Sequence, residues 1–472
     1  MEKKTRLEHD LIGEMEIPAD CYCGVQTLRA VENFKITGMP ISHYPEFIQA
    51  FAYVKKAAAL ANNELGILEN DVMKAIVGAC DEIIAGKLLD QFMVDVFQGG
   101  AGTSTNMNAN EVIANRALEL MGLEKGKYDK VHPNNHVNLS QSTNDAYPTA
   151  IKLAVYVLLN KLMKSMEVVE KAFAAKGKEW ENVIKMGRTQ LQDAVPMTLG
   201  QEFTAYASSI RSEITQIREV QKLMAVVNMG ATAIGTGINA PPDYARVVAK
   251  HMAKITGIPV TTASDLIEAT WDTTDYAQVS GQLKRFALKI SKVCDDLRLL
   301  SSGPRTGIRE INLPPMQPGS SIMPGKVNPV IPEVMNQVAY QVIGADVTIS
   351  FASSNGQLEL NVMEPVIAYN LFQSIESLSR TCHILVDKCV KGITANKDHC
   401  RKLVENSIGI VTALNPAIGY ENSTMIAKEA LETGKSVAEL VLEKKLLTKE
   451  KLSDLLTPEN MLHPRDIKSI KK

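Results

Sequence analysis

The sequence predicts a mainly α-helical protein built around a bundle of long helices. Three observations carry that expectation. Long stretches with apolar residues at i, i+3, i+4 spacing recur along the chain. Their faces are dominated by Leu, Val, Ile, Ala and Met, with only 5% aromatics overall, as helix-on-helix packing prefers. Short glycine- and proline-punctuated segments interrupt them. At 472 residues and 45% apolar content, the chain can bury a large core and should hold two or three domains.

Residues 1–140 mix turns, short extended pieces and helices, and read as an N-terminal mixed, mainly helical domain. Its first apolar-periodic helix runs from about Pro45 to Leu65, and another helix starts at Glu111. Residues 141–393 read as the central long-helix domain. There the stretch Asn144 to Lys178 places Ile151, Ala154, Val155, Leu158, Leu162 and Met166 on one face. Similar stretches run from about Thr198 to Asn228, Trp271 to Leu300, Pro332 to Phe351 and Pro365 to Lys391. A helix of thirty residues spans about 45 Å, so helices this long and apolar should bury part of their surface between subunits. Residues 394–472 carry a turn at Leu414-Asn-Pro416 and shorter helices with charged faces, and read as a small C-terminal helical domain with a solvated end at Lys471 and Lys472.

A net charge of −2 with both signs interspersed gives no reason to expect nucleic-acid or membrane-surface binding. The basic start, Met-Glu-Lys-Lys-Thr-Arg, has no apolar run after it, and no stretch of eighteen apolar residues follows, so a cytoplasmic protein is expected. Seven dispersed cysteines, at 21, 23, 80, 294, 382, 389 and 400, lack C-x-x-C pairing and are expected to be free thiols. The eight histidines are scattered without H-E-x-x-H, and His132-Pro-Asn-Asn-His136 flanks turn formers, so no catalytic metal is expected.

The chemistry is concentrated in polar segments between helices, where binding residues usually sit. In Gly319-Ser-Ser-Ile-Met-Pro-Gly-Lys-Val-Asn-Pro329, the glycines let backbone approach a ligand and the prolines stiffen the loop. Successive amides there make an anion-holding concavity, Lys326 adds a point charge and Asn328 a donor, and Ser320 or Ser321 remains as proton acceptor or nucleophile. The spacing differs from a nucleotide-binding G-x-x-x-x-G-K-[ST] loop: five residues separate the glycines and Val327 follows the lysine. Four further blocks accompany it. Gly99-Gly-Ala-Gly-Thr-Ser-Thr-Asn-Met-Asn108 can turn amides and the hydroxyls of Thr103 and Ser104 toward a carboxylate. Gln141-Ser-Thr-Asn-Asp-Ala-Tyr-Pro-Thr149 offers Ser142, Thr143 and Asn144 where capping needs only one. Gly187-Arg-Thr-Gln-Leu-Gln-Asp-Ala194 presents Thr189 and Gln190, with Arg188 and Asp193 expected to pair structurally. Gly230-Ala-Thr-Ala-Ile-Gly-Thr-Gly-Ile-Asn239 lacks dinucleotide-fingerprint spacing and reads as a glycine-rich turn near the site. No segment suggests NAD, ATP or flavin.

The signature loop resembles that of the fumarase and aspartase superfamily, whose members eliminate ammonia, water or an amine-bearing group from a succinyl-type substrate to leave fumarate. The resemblance is nearly full-length. Gly-Gly-Ala-Gly-Thr-Ser, Gln-Ser-Thr-Asn-Asp-Ala-Tyr-Pro-Thr and Gly356-Gln-Leu-Glu-Leu-Asn-Val-Met-Glu-Pro365 look like the aspartase branch. Class II fumarases typically show Gly-Ser-Gly-Thr-Gln, Gln-Ser-Ser-Asn-Asp and Phe-Glu-Leu-Asn-Val instead. The resemblance implies a three-domain fold whose central long-helix bundle assembles into a tetrameric core, a homotetramer with active sites shared between subunits, and no required organic cofactor. It implies reversible elimination of ammonia from L-aspartate by removal of the C3 proton through an aci-carboxylate. In that scheme Ser320 is the general base. Thr103, Ser142 and Thr143 hold the C4 carboxylate, Thr189, Lys326 and Asn328 the C1 carboxylate, and Asn144 the amino group, with Gln190 and Ser321 also lining the substrate.

Two departures matter. Gln190 stands where fumarases and some aspartases carry histidine; glutamine orients but donates no proton as an acid, which weakens hydration chemistry more than loss of ammonia. Asn135 replaces the acidic residue of the related fumarase segment His-Pro-Asn-Asp-His, an accessory anion site there. Arg29 is read as either a carboxylate attractant or one half of a surface ion pair. A class II fumarate hydratase is the alternative within the superfamily, and a non-catalytic structural protein of the same fold a remote one.

Overall fold

The computed structural model describes residues 4–462 and is mainly α-helical. The basic start at Met1 and the tail at Lys471 and Lys472 lie outside the described residues. Six expected helices form close to their predicted bounds: Pro45–Glu64, Thr143–Glu179, Leu199–Gln221, Thr274–Leu300, Val330–Ser354 and Glu364–Lys388. The 37-residue helix Thr143–Glu179 is the longest, and buries Ile151, Ala154, Val155, Leu158, Leu162 and Met166 as its periodicity predicts.

Three local expectations are corrected by tertiary contacts. The helix expected to start at Glu111 begins at Thr103, after Gly102 at φ +87°. Glu111 is instead buried mid-helix, and its carboxylate accepts from the Gly24, Gln26 and Thr27 amides and the Thr27 hydroxyl, completing the start of the helix Val25–Asn33. The stretch expected to remain helical to Asn228 stops at Gln221, because Val226–Val227 pairs in parallel with Thr261–Thr262. The expected turn at Leu414-Asn-Pro416 lies within the helix Val411–Ile418, where fully buried Leu414 packs in a cluster with Ile426, Leu440 and Leu455. Burial of Leu414 outweighs the local turn signal of Asn-Pro.

The chain divides into two compact units whose boundaries fall inside long helices. The first comprises Met1–Lys164, Thr215–Ala287 and Tyr340–Ser379. Here Pro45–Glu64 packs against Asn70–Ile84 and Tyr244–Thr256, and Asn70–Ile84 packs against Thr103–Leu120. An aromatic cluster of Tyr44, Phe47, Phe51, Tyr147 and Phe372, with ring centroids 5.1–5.9 Å apart, fills its interior. The Tyr147 ring also decides why residue 102 is glycine, since a Cβ there would lie 2.3 Å from the ring.

At the first unit's N-terminal end, the antiparallel hairpin Thr5–Asp10 and Gly13–Pro18 is tied by Arg6, which donates to the carbonyls of Cys21 and Cys23 at 2.8 and 2.6 Å. That curl brings the two Cα atoms to 5.3 Å and joins Cys21 to Cys23 as a disulfide, correcting the expectation of seven free thiols. The other five cysteines are free and buried. Arg29 is committed to Asp10 through a two-pronged ion pair at 2.8 and 3.0 Å, which settles its role as structural.

The second unit comprises Ser165–Ile214, Leu288–Ala339 and Arg380–Lys472. Its hairpin, Ile184–Thr189 with Gln192–Thr198, contributes Ile184 and Met186 to the apolar cluster of the C-terminal helices. Trp180 stacks edge-on to Phe203 at 4.8 Å. The short strand Ile311–Asn312 pairs antiparallel with Thr394–Ala395 immediately before the glycine-rich loop.

Leu414→Ala, which opens a cavity in the C-terminal cluster, is expected to destabilise the protein by about 2–5 kcal/mol. The check is a shift of the denaturant midpoint at unchanged slope.

Candidate active site

In the first unit, the block around Thr103 and the block around Ser142 each place polar residues at a helix start, the helices being Thr103–Leu120 and Thr143–Glu179. Helix N-termini favour negative charge. Of the first-turn amides here, those of Thr103, Thr105 and Asn144 are already bonded, to the Gly100 carbonyl, Gln98 Oε1 and Ser142 Oγ. Thr103 is exposed, and its hydroxyl donates to the Gly100 carbonyl at 2.7 Å. Ser142 Oγ accepts from the Asn144 amide at 3.2 Å, which leaves the Ser142 proton for another acceptor. Asn144 Nδ2 donates to the Ala233 carbonyl at 2.7 Å.

Asp145 explains how these residues are held. Its carboxylate accepts from the Ser142 amide at 2.9 Å, and from the Gly230 and Thr232 amides at 3.1 and 3.0 Å. The segment Gly230–Asn239 is therefore latched directly onto the Ser142–Asp145 turn, and the expectation that it lies near the site residues holds for Asn144. Thr232 pays for this with φ +57°, rare for a β-branched residue and characteristic of functional loops. Burial pushes the Asp145 carboxyl up to about 6, against the opposing pull of those three amides and of Lys55.

Beneath the two helix starts lies a group that sequence reasoning missed. Lys55 is fully buried in the helix Pro45–Glu64, and its ammonium donates to Asn106 Oδ1 at 2.7 Å, Asn138 Oδ1 at 3.0 Å and Gln141 Oε1 at 2.9 Å. Burial lowers its pKa, while the charge of Asp145 raises it. The three carboxamide oxygens take the place of the water it gave up. The signal was present in the sequence: Lys55 falls on the same helical face as Ile48, Phe51 and Ala59, where a charge demands a partner.

In the second unit, Thr189 and Gln190 sit at the exposed tip of the hairpin. Gln190 and Leu191 form its two-residue turn with φ +54° and +62°, a geometry that normally calls for Asn or Gly. Arg188 and Asp193 face each other in register but do not pair through their side chains, correcting that expectation. Arg188 Nη1 donates to Glu310 Oε1 at 2.8 Å, and Asp193 accepts from the Ser407 hydroxyl at 2.7 Å. Glu310 is fully buried and also has Lys185 Nζ 3.1 Å from Oε2. Because Glu310 directly precedes Ile311–Asn312, it ties the Thr189 hairpin to the chain entering the glycine-rich loop.

That loop is exposed over residues 321–327 and closes on itself. The Gly319 amide donates to the Lys326 carbonyl at 2.8 Å, and Asn328 Nδ2 donates to the Gly319 carbonyl at 2.7 Å. A Cβ on residue 319 would lie 2.6 Å from the Lys326 carbonyl oxygen, so only glycine fits. Ser320 Oγ accepts two backbone amides, Ile322 at 3.2 Å and Met323 at 3.1 Å. Ser321 and Lys326 are exposed on the same loop. His132 and His136 are tied up locally: His132 Nδ1 accepts from the Asn134 and Asn135 amides, and His136 Nδ1 from the His132 amide. Among the described residues, no group of three or more His, Cys, Asp or Glu side chains is gathered to hold a metal ion, and no helix is long and apolar enough to cross a membrane.

The family model described as a lyase matches residues 13–344, and that of the fumarase C C-terminus matches residues 410–463. The aspartate ammonia-lyase of Helicobacter pylori is 60% identical over 466 residues, covering 99% of this chain and all of that protein. The chain belongs to the aspartase family of lyases. Within this family, the aspartate ammonia-lyase of Escherichia coli is 55% identical, covering 98% of this chain and 97% of that one. Among solved structures, a fumarate lyase:delta crystallin from Brucella melitensis superposes with a TM-score of 0.95 at 52% identity, covering 98% of this chain and 100% of that one. A class II fumarase from Schistosoma mansoni gives 0.93 at 35% identity, with the same coverage. The aspartase fold thus extends over both compact units.

Glu310→Ala would leave Arg188 without its carboxylate and Lys185 with Glu202 alone. The expected cost is about 1–3 kcal/mol, read by chemical denaturation, with a lowered lyase activity because the Thr189 hairpin loses its anchor.

Proposed function

We propose that this aspartase-family protein is an aspartate ammonia-lyase, a carbon–nitrogen lyase that reversibly eliminates ammonia from L-aspartate to give fumarate. The observation that carries the mechanism is Ser320 Oγ accepting two backbone amides. Serine is a poor base unless its alkoxide is stabilised, and amide dipoles aimed at the oxygen supply that field. Ser320 then removes the C3 proton as general base. Negative charge moves onto the C4 carboxylate, giving a dianionic aci-carboxylate, and the C2 ammonium leaves as neutral ammonia.

Thr103, Ser142 and Thr143 are assigned to the C4 carboxylate, Thr103 once its hydroxyl turns from the Gly100 carbonyl, where two helix N-termini favour developing charge. Thr189, Lys326 and Asn328 are assigned to the C1 carboxylate and Asn144 to the amino group, with Ser321 and Gln190 lining the substrate. The exposed turn at Gln190 offers an amide rather than an acid, which suits a leaving group that already carries its proton. The assignment to ammonia rather than water also draws on the names of the Helicobacter and Escherichia relatives. The proposed chemistry calls on no organic cofactor or resident metal.

A homotetramer with active sites drawing on more than one subunit belongs to the same reading, as does a cytoplasmic location. The helix Val330–Ser354 supports assembly: it is apolar on most sides, yet Tyr340, Val347 and Phe351 are 58%, 52% and 68% exposed. An all-round apolar helix needs cover.

Purified protein is expected to release fumarate and ammonia in equal amounts from L-aspartate and no fumarate from L-malate. Fumarate from malate alone would make it a class II fumarase, and silence with both a structural protein. Ser320→Ala is expected to abolish turnover while sedimentation still reports a tetramer; retained turnover would sink the assignment of the base.

A further inference from the structure

Lys55 touches no substrate-facing residue, yet it dictates how one of them can bond. An ammonium has three donors and no acceptor. Lys55 spends all three on side-chain carboxamides, so Asn106, Asn138 and Gln141 must each turn the oxygen toward it and the nitrogen away. The consequence is visible at each nitrogen. Gln141 Nε2 donates to the Val137 and Leu139 carbonyls, and Asn138 Nδ2 to the Gln141 carbonyl. Asn106 Nδ2 donates to Asn138 Oδ1 and, at 3.1 Å, to Thr143 Oγ1.

That last bond is between buried groups, and it makes Thr143 Oγ1 an acceptor. A hydroxyl has a single proton. With Asn106 donating into its lone pair, that proton points away from Asn106. Among the described residues no hydrogen bond takes it up, although Thr143 is only 9% exposed. A carboxamide flipped the other way would present its oxygen to Thr143 and draw the proton inward, turning a donor to ligand into a spent one.

We infer that Lys55 and Asn106 are positioning residues that polarise Thr143, locking its hydroxyl as a donor toward an anionic ligand at the start of the helix Thr143–Glu179. The inference rests on the reading of Thr143 as a donor to the substrate carboxylate, and adds to it the buried relay that gives the hydroxyl its direction. Lys55 acts through Asn106 and contributes no contact of its own.

The test uses the full-length protein and kcat/KM for L-aspartate. Asn106→Asp keeps the shape and still satisfies Lys55, but replaces the donor facing Thr143 and Asn138 Oδ1 with an acceptor. It is expected to lower kcat/KM about a hundredfold, the typical effect of losing one donor aimed at developing charge, while its thermal midpoint, lowered by the lost Asn138 bond, still reports a folded protein at the assay temperature. Thr143→Val is expected to lower it by a similar factor. The double variant should then be no worse than Thr143→Val alone, because the relay has nothing left to orient. Lys55→Met, which frees the Asn106 amide to flip, should lower kcat/KM in the same direction; if it does not fold, the Asn106 pair still decides the matter. Wild-type kcat/KM in Asn106→Asp alongside a damaged Thr143→Val would overturn the relay and leave the assignment of Thr143 standing. A fully additive double variant would reduce Asn106 to a structural role. Wild-type kcat/KM in Thr143→Val would refute that assignment and the relay with it.

Discussion

The polar loops of the first unit depend on one buried charge. Once the apolar face of Pro45–Glu64 is packed against two neighbouring helices, Lys55 can no longer reach water. Its ammonium must be solvated by protein, and it recruits a carboxamide from Thr103–Leu120 and two from the segment entering Thr143–Glu179. Leaving such a charge unpaired would cost several kcal/mol, so the requirement binds three chain segments at one point. The starts of two helices that favour anions are thereby held together by a group far from solvent.

The second unit solves the same problem with the opposite sign. Glu310 is buried, and Arg188 and Lys185 of the hairpin converge on it. This fastens the tip carrying Thr189 and Gln190 to the chain that leads into the Ser320 loop. In each unit a rigid helical scaffold carries exposed polar segments, and buried ions with their partners set where those segments leave the scaffold: Lys55 and Asp145 in the first, Glu310 with Lys185 and Arg188 in the second. Three of the positive-φ residues, Gln190, Leu191 and Thr232, lie at or beside residues assigned to substrate, while others such as Leu88 and Lys445 shape turns elsewhere.

Apolar periodicity made the long helices legible, because a repeat of 3.6 sustained over twenty or more residues has no other packed solution. The chemical blocks were legible too, since hydroxyls, amides and glycines crowd where apolar residues would otherwise be expected. Less visible was what each polar residue is for. Thr105 to Asn110 looked like loop, yet they are buried in a helix, where Thr105 bonds nearby Gln98, Asn108 accepts from the Met93 amide and Asn106 reaches Thr143. Arg188 and Asp193 looked like partners at their short separation, but Glu310 and Ser407, more than a hundred residues away, present better-placed groups.

The sequence by itself determined the helical class, the extent of the main helices and the identity of the polar blocks, because these follow from local periodicity and composition. Tertiary structure alone decided the helix start at Thr103, the helical state of Leu414-Asn-Pro416, the disulfide of Cys21 with Cys23, and the partners of Lys55, Asp145 and Glu310. For the buried polar groups the physical reason is common. Burial removes water as the default partner, and the replacement comes from whichever segment the fold brings within about 3 Å, a distance that sequence separation does not encode.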